Sequence, residues 1–204
     1  MIRLTMKECQ RHGQSSSNVS FGLFELLNEE GMKYTDTVYN QMIENCKKIA
    51  SDLKTEVKAR RAVLDPVNNM DDFDEWELSQ EEITELFEKF KSVMGLESDF
   101  GFFRDNDEEY GRYSEHMDAV TLPLCIGCYN ESKIVEHMTH ELYHALQYYA
   151  ICEPAKYPCF DEETIKKWDY EYHNYVSGDK DMKQYLGQEI ERTAREFGKM
   201  MGGA

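Results

Sequence analysis

Ile134–Ala150 reads IVEHMTHELYHALQYYA, and within it His140 and His144 stand four residues apart. On a helix of about 3.6 residues per turn this spacing puts both imidazoles on one face, with Cβ atoms about 6 Å apart, a gap that one metal ion can bridge. Glu141 lies between them in rotation, where a carboxylate can take a proton from water on such an ion without ligating it. The run is an HExxH element, and its chemistry depends on the segment being helical. Ile134, Val135, Met138, Leu142, Ala145, Leu146 and Tyr149 recur at steps of three and four, the pattern of an amphipathic helix. Asn130 or Ser132 can cap its start, and Pro154 ends it.

Upstream, between Asp99 and Leu124, the hydrophobic pattern is no longer helical. Phe100, Phe102 and Phe103, then Tyr110–Tyr113, then Ala119–Leu124 are separated by the polar runs Asp105–Glu109 and Glu115–Asp118, which predicts three short strands in a meander. Pro123 cannot donate to a ladder, so the last strand is expected at an edge, leading directly into the histidine-bearing helix. Further back, Ser79 and Glu82 form a capping box for a helix running to Met94, with Gly95 as its C-cap. Val38, Met42, Cys46, Ile49, Leu53 and Val57 mark a long one-faced helix over 36–61, stopped by Asp65 and Pro66. Asp71–Glu77 reads as a solvated acidic loop.

The first 33 residues read as a peripheral segment, with a polar spacer at Gln14–Asn18 and a short helical pattern in Phe21, Phe24 and Leu27 closed by Gly31. After Pro158 two helices are expected. One covers 160–175 with Ile165, Trp168 and Tyr172 inward; the other covers 181–201 with Leu186, Ile190, Ala194, Phe197 and Met201 inward. Gly178 turns the chain between them. The expected architecture is α+β, one domain over 34–204.

A chain of 204 residues can build a core without disulfide staples. With 41% hydrophobic and 12% aromatic residues it is composed as a folded domain rather than a disordered one. The net charge of −17 argues against nucleic-acid backbones and anionic membranes as partners, since both repel it. Met1–Lys7 is not followed by an apolar core of a signal peptide, and no apolar run approaches a membrane span. The six cysteines are irregularly spaced, so a reducing, cytoplasmic setting is expected.

Two histidines leave a catalytic zinc one protein ligand short. The last helix offers Glu189 and Glu191, both about 100° from the centre of its apolar stripe, so amphipathicity does not choose between them. Ala194 favours Glu191: it lies three residues on, on the same side, where a small residue lets the two helices approach. The alternative use of Glu191 is an ion pair with Arg195 at i+4.

His140-Glu141-x-x-His144 with Gln147, followed by Tyr185-x-x-Gln188-x-x-Glu191-x-x-Ala194-x-x-Phe197, resembles the compact gluzincin-type zinc metallopeptidases of phage-associated and bacterial proteins, the ImmA/IrrE and HExxH-toxin kinds. The resemblance covers about the C-terminal half and departs from that pattern over 153–184. It implies a zincin-like fold, a small sheet whose edge strand precedes the active-site helix, with Glu191 as third ligand.

From these residues the expected activity is hydrolysis of peptide bonds: Zn2+ on His140, His144 and Glu191 activates water, and Glu141 is the catalytic base. A peptide or protein substrate fits an edge strand beside the metal, by strand addition. For the oxyanion, His116, Tyr172, His173 and Tyr185 are all candidates. Cys125 and Cys128, with Cys152 and Cys159, offer a weaker four-thiolate zinc arrangement, and His137 shares the face of His140. Two other readings follow different chemistry. A di-iron carboxylate oxidase uses the Glu-x-x-His element twice, whereas Glu141-x-x-His144 occurs once. A catalytically silent acidic interaction protein with structural zinc would have no need of Glu141.

Overall fold

The computed structural model of the protein describes residues 34–64, 78–103 and 111–204, all within one compact unit. The expectations for residues 1–33, for the helix stop at Asp65 and Pro66, for the acidic stretch Asp71–Glu77 and for Asp105–Glu109 lie outside the described residues.

Helix α1 spans Asp36–Leu64, burying Met42, Cys46, Ala50 and Val57 along one stripe. Helix α2, Gln80–Met94, begins as its capping box dictates. The Ser79 hydroxyl accepts from the Glu82 N–H at 3.2 Å, and the Glu82 carboxylate accepts from the Ser79 N–H at 2.9 Å. It ends at Gly95 in the left-handed region, φ 63°, where a glycine carries no Cβ penalty.

Three strands follow: β1 (Asp99–Phe103), β2 (Arg112–Ser114) and β3 (Ala119–Pro123). They form a mixed sheet in the order β1-β3-β2, not the meander expected from their succession. β3 runs parallel to β1, from Asp99 opposite Ala119 to Phe103 opposite Pro123, and antiparallel to β2. The strand before the histidine helix is therefore central, and the expectation of an edge is corrected. Val120 and Leu122 of β3 are fully buried, which suits the middle of a sheet better than its rim. Pro123 is tolerated because the β2 ladder stops at Thr121, two residues short of it.

The β2–β3 turn rests on Asp118, at φ 45°. Its carboxylate accepts from the Ser98, Tyr113 and Tyr149 hydroxyls at 2.7, 3.0 and 2.5 Å, tying the sheet to the following helix.

A 3-10 turn, Leu124–Cys128, leads into α3, Glu131–Cys152, whose first turn is capped by the Asn130 side chain on the Lys133 N–H at 2.9 Å. Among the described residues this helix is the central one, packed by α1, α2, β2, β3 and the C-terminal helices. After a turn at Pro154–Lys156 come α4 (Glu162–His173), α5 (Met182–Gly187) and α6 (Glu189–Gly202).

The single helix expected over 181–201 is thus two, broken at Gln188. There the backbone is extended, φ −66° and ψ 132°, while the side-chain amide pairs with Val176, accepting from its N–H at 2.9 Å and donating to its carbonyl at 3.0 Å. The break creates a new helix start, and the Glu171 carboxylate caps it by accepting from the Ile190 N–H at 2.8 Å.

The α3–α6 seam is made of small residues. Ala194 is fully buried, and a Cβ added to Gly198 or Gly202 would lie 2.6 Å from the Glu136 carbonyl or 2.7 Å from that of Ser132. Side chains there would hold the helices apart. Among the described residues no helix is long and apolar enough to cross a membrane.

Candidate metal centre

His140, Glu141 and His144 project from one face of α3, and the close seam brings α6 to them. His140 and His144 sit edge to face, with Nε2 atoms 3.1 Å apart. Glu191, from the first turn of α6, places Oε2 3.6 Å from His140 Nε2 and Oε1 3.6 Å from His144 Nε2. Donors about 2 Å from one tetrahedral ion stand about 3.3 Å apart. Among the described residues this is the group that can hold a metal ion.

Three further observations bear on whether the group fits one. Glu191 is only 2% exposed, and its Oε2 is buried with no hydrogen bond, the Arg195 guanidinium standing off at 3.6 Å, so the oxygen keeps capacity for a further partner. The His144 tautomer is set from behind: the Gln147 amide donates to the Ile190 carbonyl at 2.9 Å and the Thr193 hydroxyl at 2.8 Å, which turns its oxygen to His144 Nδ1 at 2.8 Å. Nδ1 therefore carries the proton and Nε2 keeps its lone pair, as metal ligation requires. His140 is held well below the ordinary imidazole value by burial first and then by the charges of His144, Arg195 and His137, against an opposing hydrogen bond to the Ala194 backbone. It is neutral, the ligating form. The residues present fit a divalent cation.

Glu141 is placed differently. Its Oε1 is 3.9 Å from His140 Nε2, and the Tyr113 backbone of β2 hydrogen-bonds it. Burial, with the charge of Glu191 adding to it, raises Glu141 to about 8; the residue is 7% exposed. A cation beside it would pull that value down. β2 comes this close because of Gly111, where an added Cβ would lie 3.0 Å from Glu141 Cγ and 2.5 Å from Leu122 Cδ2.

Glu189, the other carboxylate considered for the third ligand, is drawn away by Arg192 and by Lys167 at 3.4 Å. Arg195 does approach Glu191, its Nη1 3.6 Å from Oε2, but the pair is not a surface one, since Glu191 is buried. Of the candidates for stabilising an oxyanion, His116 and His173 are mostly exposed, pairing with Glu115 and Asp169. Tyr185 lies beside Glu191, raised by burial and then by that carboxylate; Tyr172 packs on Tyr148 and is raised by burial and then by Glu115. Cys125, Cys152 and Cys159 are free thiols, the side chain of Cys128 is not among those described, and His137 stands outside the metal-capable group, near the Tyr129 ring.

Two contributors carried no role in the sequence. Gln147 was legible as a neighbour of His144, three residues on along one helix. Tyr175 was not: it lies in the segment between α4 and α5, and its hydroxyl donates to Glu191 Oε1 at 2.6 Å. No periodicity marks such a contact. No family model, curated protein or solved structure matches the chain, so a functional reading stands on the geometry of these residues.

Proposed function

We propose that the protein is a zinc-dependent metallopeptidase with a zincin-like fold, in which His140, His144 and Glu191 hold the ion and Glu141 is the general base. One observation supports this most: two imidazole nitrogens and a carboxylate converge, and a second buried carboxylate stands beside them without joining the set. A structural zinc site closes its coordination with four protein ligands and has no use for a base.

Zinc bound to three protein ligands supplies Lewis acidity and lowers the pKa of water toward about 7. Glu141, oriented by the Tyr113 backbone and shielded by β2, takes the proton from water and delivers it to the leaving amine. The substrate is a peptide. It is received by strand addition along β2 rather than β3, because β2 ends the sheet among the described residues and Gly111, just before it, abuts Glu141.

The test is Glu141→Gln, which keeps the shape of the side chain but cannot accept the proton. Zinc content should stay at one per chain while cleavage of a peptide mixture falls by about 10² to 10⁴. Equal cleavage by variant and wild type removes Glu141 from the mechanism. A wild type that holds zinc but cleaves nothing favours the silent acidic binder.

A further inference from the structure

We propose that Tyr175 is a positioning residue of the metal centre, holding Glu191 by one oxygen so that it presents the other, Oε2, as a single-atom ligand. The inference rests on the metal reading above.

The two carboxylate oxygens are treated differently. Oε1 accepts from the Tyr175 hydroxyl at 2.6 Å, the range of a charge-assisted bond to an ionised carboxylate. Oε2 is buried and accepts no hydrogen bond. Both oxygens stand 3.6 Å from an imidazole Nε2, Oε1 from that of His144 and Oε2 from that of His140; the Tyr175 proton draws electron density from Oε1 and leaves Oε2 the stronger donor. One-atom ligation keeps the protein's share of the coordination at three and a further position open.

Tyr175 does not reach Glu191 by chance of a loose chain. Asn174 ends α4 with its N–H and side-chain amide on the Tyr170 carbonyl, at 3.1 and 2.8 Å. On the other side the next residue, Val176, is clasped by both ends of the Gln188 amide. Gln188 immediately precedes α6 and stands three residues before Glu191, so one side chain ties the tyrosine-bearing segment to the start of the helix that carries the ligand. The ring packs edge-on against Tyr185 at 6.4 Å. Tyr175 is 47% exposed, yet its hydroxyl reaches a carboxylate that is only 2% exposed, an arrangement that packing alone does not call for.

Zinc affinity, measured by competition with a chromophoric chelator, and the visible spectrum of the cobalt(II)-substituted protein should be compared in wild type, Tyr175→Phe, Tyr185→Phe and Gln188→Ala. Tyr175→Phe should bind zinc about 10- to 100-fold more weakly, and its cobalt bands should weaken and shift as Glu191 becomes a two-atom ligand. Gln188→Ala should move both readouts the same way. Metal-free Tyr175→Phe should still melt in one cooperative transition, lower than wild type by the loss of one part-buried hydrogen bond, and the cobalt bands of the folded variant separate positioning from folding. Unchanged affinity and unchanged cobalt bands in Tyr175→Phe overturn the proposal, as does an effect confined to Tyr185→Phe. A wild type that takes up neither ion overturns the metal reading itself.

Discussion

At the scale of single residues, the division of labour among three glutamates decides the chemistry. Glu191, Glu189 and Glu141 have the same side chain and differ in what surrounds them. Glu191 faces two imidazoles and is sealed from water, Glu189 is ion-paired with Arg192 and Lys167, and Glu141 is buried beside the metal-capable group without joining it. Glu191→Gln should therefore abolish stoichiometric zinc binding by elemental analysis, whereas Glu189→Gln should retain it. The opposite pattern would move the ligand by two residues. Gln147 acts one step further out. Replacing it with Leu frees His144 Nδ1 to exchange tautomers and leaves the Ile190 carbonyl short of a donor, so zinc affinity should drop by about 10- to 100-fold. Chelator titration measures this directly.

At the scale of elements, the site exists because α3 and α6 nearly touch. Ala194, Gly198 and Gly202 lie at four-residue steps, and the Glu136 carbonyl occupies the space a Gly198 side chain would need. Gly198→Ala should open the seam, cost about 1 to 3 kcal/mol of stability as an overpacked core position does, and weaken metal binding because Glu191 rides on the displaced helix. Gly187 makes the contrasting case, with nothing within 4 Å of an added Cβ; Gly187→Ala should leave both melting midpoint and zinc affinity near wild type. Equal effects at the two glycines would dissociate the seam from the site. Gly111 is the corresponding close approach on the strand side. Gly111→Ala should push Glu141 from its place against β2 and lower peptide hydrolysis with zinc still bound.

For the whole molecule, an ion held by His140, His144 and Glu191 would join elements far apart in the chain, α3 and α6. A ligand that binds the folded state and not the unfolded one stabilises by RT ln(1 + [L]/Kd), about 4 kcal/mol at a thousandfold excess over Kd. Removal of zinc by a chelator should accordingly lower the melting midpoint by several degrees, with recovery on adding the metal back. His140→Ala should show the lower midpoint with or without zinc. A midpoint indifferent to chelation would mean that no ion spans the two helices.

Much of this was written in local sequence. The capping box at Ser79 and Glu82, the Gly95 stop, the amphipathic run of α3 and the pairing of His140 with His144 each involve residues within one or two helical turns, where backbone geometry alone sets which side chains meet. The same holds for the use of Ala194 as a sign of close approach. What lay outside that range required the folded chain. The strand order β1-β3-β2 depends on which strand has both faces to bury, and the Asp99–Pro123 sequence does not reveal what packs on its Val120 and Leu122. The break at Gln188 follows from an amide that prefers the backbone of Val176, twelve residues away, to continuing a helix. Ala194 favoured Glu191 over Glu189 from sequence, but the ion pairs that draw Glu189 away are seen only where α6 docks, and Tyr175 entered the site through a loop with no period to read. Helical spacing is a property of the chain itself, whereas the surroundings of a loop hydroxyl are set by the elements that happen to face it.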